Sequence, residues 1–158
     1  MFEEAIFQPQ QQLDPVAGQR VFEQNCASCH RFGPIGADHG VAALNLTSSG
    51  LRGSKYALLE AIMFPDRNVA PEHELTVIET ADGRTLHAIV LRESGRSVSV
   101  LTREGATADL PLAQIKSRQK QKASLMTEAM ADSMNQAELR NLLSFLAAAP
   151  PGGTGSGR

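Results

Sequence analysis

The chain has 158 residues, a formal net charge of -2 and 42% hydrophobic residues. That composition fits one globular domain with a small appendage, and it excludes a disordered chain, which would be less apolar and more highly charged. Two cysteines are too few for a disulfide-built mini-protein, and the slightly acidic balance gives no electrostatic case for nucleic acid. Aromatics are scarce, with no Trp, one Tyr and six Phe. Aromatic side chains ordinarily supply much of a core's buried area, so another apolar body is expected at the centre.

Residues 1–13 read as an N-terminal extension. Its Glu3, Glu4 and Gln-rich run lack the basic end and apolar stretch of a secretion signal. No run in the chain is long and apolar enough to span a membrane. Asp14-Pro15 then opens a helix, with an N-cap followed by proline in the first turn. The helix is predicted over residues 15–25, and Gly18 on the face of Phe22 would let another helix approach closely.

Cys26-Ala27-Ser28-Cys29-His30 follows at once. The C-x-x-C-H spacing is the attachment signal of c-type haem. Two thiols three residues apart match the vinyl groups of a porphyrin, and the adjacent histidine can reach the iron from the proximal side. A thioredoxin-like dithiol would want a βαβ context, yet the preceding segment reads as helix. A zinc site would need two more ligands, and His39, His73 and His87 are scattered with no further cysteine. Covalent haem is therefore the expected cofactor. Thioether attachment implies an extracytoplasmic, periplasmic setting, with the leader absent because the chain is a mature form or an excised domain.

Residues 32–53 are rich in glycine and suit a loop that wraps a flat ligand without building a sheet. A second helix is predicted over residues 55–64, with Tyr56, Leu59, Ile62 and Met63 as its stripe and Pro65 as its stop. From Glu74 the period changes to two. Strands are predicted over 75–80, 84–92 and 97–102, with a short fourth over 110–115, separated by Ala81-Asp82-Gly83, Ser94-Gly95 and Glu104-Gly105. Lys116, Arg118, Lys120 and Lys122 alternate beyond them and would share one face of an extended segment. They read as a solvated edge, with docking of an acidic redox partner as the functional alternative. Asn135 and Glu138 form a capping-box pattern ahead of Leu139, Leu142, Leu143 and Leu146, so a last helix is predicted over 136–148. Residues 149–158 read as a flexible tail.

An electron-transfer haem needs a second axial ligand, and methionine there raises its potential. Met63 reads as core. Met126, Met130 and Met134 share a four-residue spacing, and Met126 lies near a loop-to-helix junction where a side chain can turn towards iron. His39 and His73 are rivals, whereas His87 falls inside a predicted strand.

With these parts in place, the chain resembles a class I cytochrome c over residues 14–148. More closely it resembles the Pirellula/Verrucomicrobium type of haem-binding domain, found at the C-termini of large secreted dehydrogenase-like proteins. The stretches that carry the likeness are Cys26 to His30, Leu46-Thr47 with Tyr56 to Ile62 and Pro65, and Ser124-Leu125-Met126 ahead of Leu139 to Leu146. The β module before Ser-Leu-Met is similar to that family's insert. The resemblance implies Cys26 and Cys29 as attachment points and His30 and Met126 as iron ligands. Thr127 stands where the family has proline, and Ala43-Leu44-Asn45-Leu46-Thr47 stands for Gly-Pro-Asp-Leu-Thr. In class I cytochromes a loop proline carbonyl orients the proximal histidine, and Pro34 is the residual candidate for that role.

The resulting expectation is a mainly α, cytochrome c-like fold over residues 14–148 around one covalent haem c. A small antiparallel β-meander, residues 74–115, is inserted between the middle helix and the axial methionine. The expected function is electron transfer without bond chemistry of the chain's own, fed by a fused or partner dehydrogenase. The alternative is a ligand-binding haem, a gas sensor or peroxidase-like domain with a labile sixth position.

Overall fold

The computed structural model describes residues 12–49 and 53–151. Most of the expected N-terminal extension (residues 1–11) and of the tail (residues 152–158) lies outside the described residues. The chain divides into two compact units, residues 1–63 with 129–158, and residues 64–128.

In the first unit, helix α1 (Pro15–Asn25) starts where the sequence dictates. The Asp14 carboxylate accepts the Val16 and Ala17 amides at 2.9 and 3.1 Å, satisfying donors that a first turn leaves unpaired. A short hairpin follows, β1 (Arg31–Phe32) and β2 (Ile35–Gly36). It is a small ladder inside the segment expected to be loop, formed because Gly33 takes φ +60 at its turn. Helix α2 (Lys55–Met63) buries Leu59 and Ile62. Helix α3 (Ala129–Asp132) is a single turn, and α4 (Gln136–Ala147) carries the complete capping box of Asn135 and Glu138.

Helix α4 packs on α1 because Gly18 permits it. A Cβ on Gly18 would lie 2.2 Å from the Asn141 carbonyl oxygen, so only glycine fits this crossing. The Asn141 side chain also accepts the Asp14 amide at 3.1 Å, tying the start of α1 to the middle of α4. Phe22, Phe32 and Phe145 then meet with ring centroids 4.9 to 6.2 Å apart. Half of the chain's six Phe are thus spent on one cluster. Each is buried and contributes about 1.5–3 kcal/mol by leaving water.

The second unit is a five-stranded antiparallel sheet of β3 (Leu75–Thr80), β4 (Thr85–Glu93), β5 (Ser97–Thr102), β6 (Thr107–Pro111) and β7 (Ile115–Gln121). The spatial order is β6-β5-β4-β3-β7. The first four strands are joined by hairpins, with Gly83 and Gly105 at φ +86 and +81 supplying turns that L side chains resist. Strand β7 then returns to the free edge of β3, so the sheet is not a simple meander. Ile78, Ala88, Val98, Val100 and Leu110 form its core on one face.

Strand β7 explains why this sheet is larger than expected. Arg118 pairs with Ile78 and Lys120 with Thr76, and directly opposed residues share a face. The cations therefore lie on the side of the core, where apolar residues would have signalled a strand. Their long stems can cover the rim of the core while their heads find partners at its edge. Arg118 pairs with Glu93 at 2.9 Å, and the Lys120 ammonium donates to the Pro71 carbonyl at 2.9 Å.

The expectation of a mainly α fold is overturned. The described structure is 34% helix and 28% strand, with four helices, the five-stranded sheet and the two-stranded one. The inserted module adds a strand that the hydrophobic pattern did not show, and the helical frame is short.

Candidate haem-binding site

Cysteine 26 closes α1. Its amide donates to the Phe22 carbonyl at 2.8 Å, and the chain then coils tightly. The amides of Cys29 and His30 both donate to the Cys26 carbonyl, at 3.1 and 2.8 Å. One turn therefore carries both thiols and the imidazole, as the C-x-x-C-H spacing requires. Cys26 and Cys29 are both half-buried. Before thioether formation, burial, with Cys29 close by, pushes the Cys26 thiol up to about 11.

His30 is oriented from behind. Its Nδ1 lies 3.2 Å from the carbonyl oxygen of Leu44, which ends a short 3-10 turn, Ala42–Leu44. A carbonyl only accepts, so the proton sits on Nδ1 and the Nε2 lone pair is left for a metal. Burial holds the imidazole below its ordinary pKa, helped by nearby His39 and opposed by the Leu44 bond. The neutral form favoured in this way is the form that ligates. Leu44 occupies the proline position of the Gly-Pro-Asp-Leu-Thr pattern. Pro34 sits at the β1–β2 turn instead and does not orient His30. The acceptor is main chain, so its side chain gave no signal; only alignment of Ala43 to Thr47 with that pattern could have found it.

The loop after β2 braces the same turn. Gly36, at φ +89, brings its Cα so close that a Cβ would be 2.0 Å from the His30 carbonyl oxygen. The Ala37 amide donates to the Ala27 carbonyl at 2.8 Å, and His39 Nε2 donates to the Ser28 carbonyl at 3.0 Å. An ion pair joins Arg31 to Asp38. Further along, the Leu46 amide donates to the Arg31 carbonyl at 2.7 Å, and Thr47 Oγ1 accepts the Gly33 amide at 3.0 Å. His39 is thus occupied in bracing.

Cys26, Cys29 and His30 are brought together in the first unit. Met126 belongs to the second, on the segment leaving β7, where its amide donates to Ser124 Oγ at 3.1 Å. Met130 lies in α3 and Met134 just beyond it. His73 ends a 3-10 turn, Pro71–His73, and His87 lies in β4 opposite Val77. Among the described residues no group of three or more His, Cys, Asp or Glu is arranged to hold a bare metal ion. Two thiols, one oriented imidazole and no carboxylate cage form a donor set that suits a metal already held in a porphyrin.

The family model for cytochrome c matches residues 15–150. The chain belongs to the cytochrome c family, carries covalently bound haem c with its iron, and acts in haem-based electron transfer. No curated protein matches it. Cytochrome c domains are typically extracytoplasmic, and no helix among the described residues is long and apolar enough to cross a membrane.

Proposed function

We propose that the chain is a single-haem, extracytoplasmic electron carrier of the Pirellula/Verrucomicrobium type, with residues 14–148 as the cytochrome domain. Cys26 and Cys29 form the thioethers, His30 is the proximal ligand and Met126 the distal one. The bound iron supplies a one-electron couple. The protein's own part is to hold the ligands still, so that little rearranges as charge changes.

The observation that best supports this reading is the bond from His30 Nδ1 to the Leu44 carbonyl. It fixes ring orientation and tautomer, and it makes the imidazole a better donor at Nε2. In the periplasm the electrons would come from a redox protein or a fused dehydrogenase domain. The basic edge strand offers the means of steering an acidic partner. Lys116 and Lys122 flank the stretch, whereas Arg118 and Lys120 already hold Glu93 and Pro71. The chain's own role is non-enzymatic.

The test is spectroscopic. Haem should resist acid-acetone extraction, and the oxidised protein should show the far-red sulfur-to-iron band. Ready binding of carbon monoxide by the reduced protein would instead favour the ligand-binding alternative with a labile sixth position.

A further inference from the structure

Strand β7 does not run freely into Met126. Its exit is fastened to the beginning of the same unit by contacts that all lie within residues 64–128. The Leu75 amide, at the start of β3, donates to the Ala123 carbonyl at 2.8 Å. The Ser124 amide donates to the Asp66 carboxylate at 2.7 Å. The Ser124 hydroxyl oxygen then accepts the Met126 amide at 3.1 Å. The relay therefore runs from a side chain 58 residues upstream to the Ser124 amide, and from the Ser124 hydroxyl to the Met126 amide.

Asp66 is itself well placed to act as an anchor. It follows Pro65, whose ring fixes the backbone angle. The next residue closes the turn twice, with the Arg67 amide donating to the Phe64 carbonyl at 3.1 Å and the Arg67 guanidinium 4.5 Å from the centre of the Phe64 ring. A carboxylate accepting a backbone amide makes one of the stronger hydrogen bonds available to a side chain. Sheet bonding stops just short of Ser124: β7 pairs with β3 as far as Gln121, and the Leu75 amide reaches the Ala123 carbonyl.

We propose that Asp66 is a positioning residue for the axial ligand, pinning the Ser124-Leu125-Met126 segment so that the methionine stays on the iron against competitors. This rests on the reading of Met126 as the distal ligand. Asp66 does not touch the reacting centre; it acts through Ser124.

The experiment uses the haem-loaded protein with imidazole as the competing ligand, titrated into the oxidised form and read by loss of the far-red band. Asp66→Ala should raise imidazole affinity about tenfold, the size expected for losing a charge-assisted hydrogen bond. Asp66→Asn keeps an acceptor oxygen and should raise it by about threefold or less. Glu93→Gln, which removes an exposed ion pair of the same sheet, should leave the affinity within about twofold of wild type.

The Asp66→Ala effect should vanish in a Met126→Ala background, where no methionine remains to be held and imidazole binding is read in the Soret band. If Met126→Ala abolishes the far-red band but Asp66→Ala leaves imidazole affinity unchanged, the proposal fails and the ligand reading stands. A lowered melting temperature without a change in affinity overturns it in the same way. An undiminished effect in the Met126→Ala background also overturns it. A far-red band that survives Met126→Ala overturns the ligand reading and this proposal with it.

Discussion

The imidazole of His30 and the carbonyl of Leu44, fourteen residues apart, meet at 3.2 Å, and this contact sets which ring nitrogen faces outwards. The acceptor is a backbone oxygen, so the side chain at 44 is not what orients the ring. Leu44→Ala should leave the haem spectrum unchanged. Leu44→Pro keeps the carbonyl but deletes the amide that donates to Val41 at 3.0 Å. It should cost about 1 kcal/mol in denaturant unfolding, with the spectrum preserved. A spectrum altered by Leu44→Ala would show that the side chain matters after all.

Glycine sets two approaches that no other residue allows. At Gly18 an added Cβ meets the Asn141 carbonyl, and at Gly36 it meets that of His30. Gly18→Ala should destabilise the protein by about 1–3 kcal/mol through forced separation of α1 and α4. Gly36→Ala should cost at least as much, since strain at φ +89 adds to the clash. Gly40 has open space around it, so Gly40→Ala carries only the penalty of its φ +69. Urea midpoints in which Gly18→Ala is no worse than Gly40→Ala would contradict the packing argument.

Acid should weaken the fold through its exposed carboxylates. The Gly40 amide and then Arg31 hold Asp38 below its ordinary 3.8, and the Thr80 hydroxyl and then Arg84 do the same for Asp82. Arg118 holds Glu93 below 4.5. Groups lowered by folding take up protons first in the unfolded chain. Their contribution is complete above these ordinary values and is lost as pH falls through the lower folded ones. The urea midpoint should therefore drop between about pH 5 and pH 3, and drop less steeply in Asp38→Asn/Asp82→Asn/Glu93→Gln. High salt should shrink the difference, since all three groups are exposed. Equal slopes at low salt would contradict the assignment.

If the basic edge strand steers an acidic partner, reversing the two flanking cations should slow the encounter. Lys116→Glu/Lys122→Glu should reduce electron transfer from an acidic donor protein about tenfold at low ionic strength and leave it near wild type in ~1 M salt. Reduction by a small neutral reagent should not change. Equal slowing with both reductants would point to a disturbed haem environment instead.

What was legible in the sequence follows from where each signal is carried. Helices α1 and α4 announced themselves through Asp14-Pro15 and through Asn135 with Glu138, because caps are made by side chains at fixed spacing. The hairpins were legible because Gly83 and Gly105 occupy backbone angles that other residues resist. Strand β7 was not, since Arg118 and Lys120 stand on the side of the core where Val or Ile would have marked it. That missed strand is part of why a mainly α fold was expected. At the site, the two thiols and His30 were legible as a motif. The Leu44 carbonyl and the Asp66–Ser124 bond were not, because each depends on a backbone group brought close only by folding.

The most direct test of the central claim compares Met126→Ala with Met130→Ala in the oxidised, haem-loaded protein. Met126→Ala should remove the far-red sulfur-to-iron band while haem stays covalently bound, and Met130→Ala should leave the band intact. Survival of the band in Met126→Ala, with its loss in Met130→Ala, would contradict that claim.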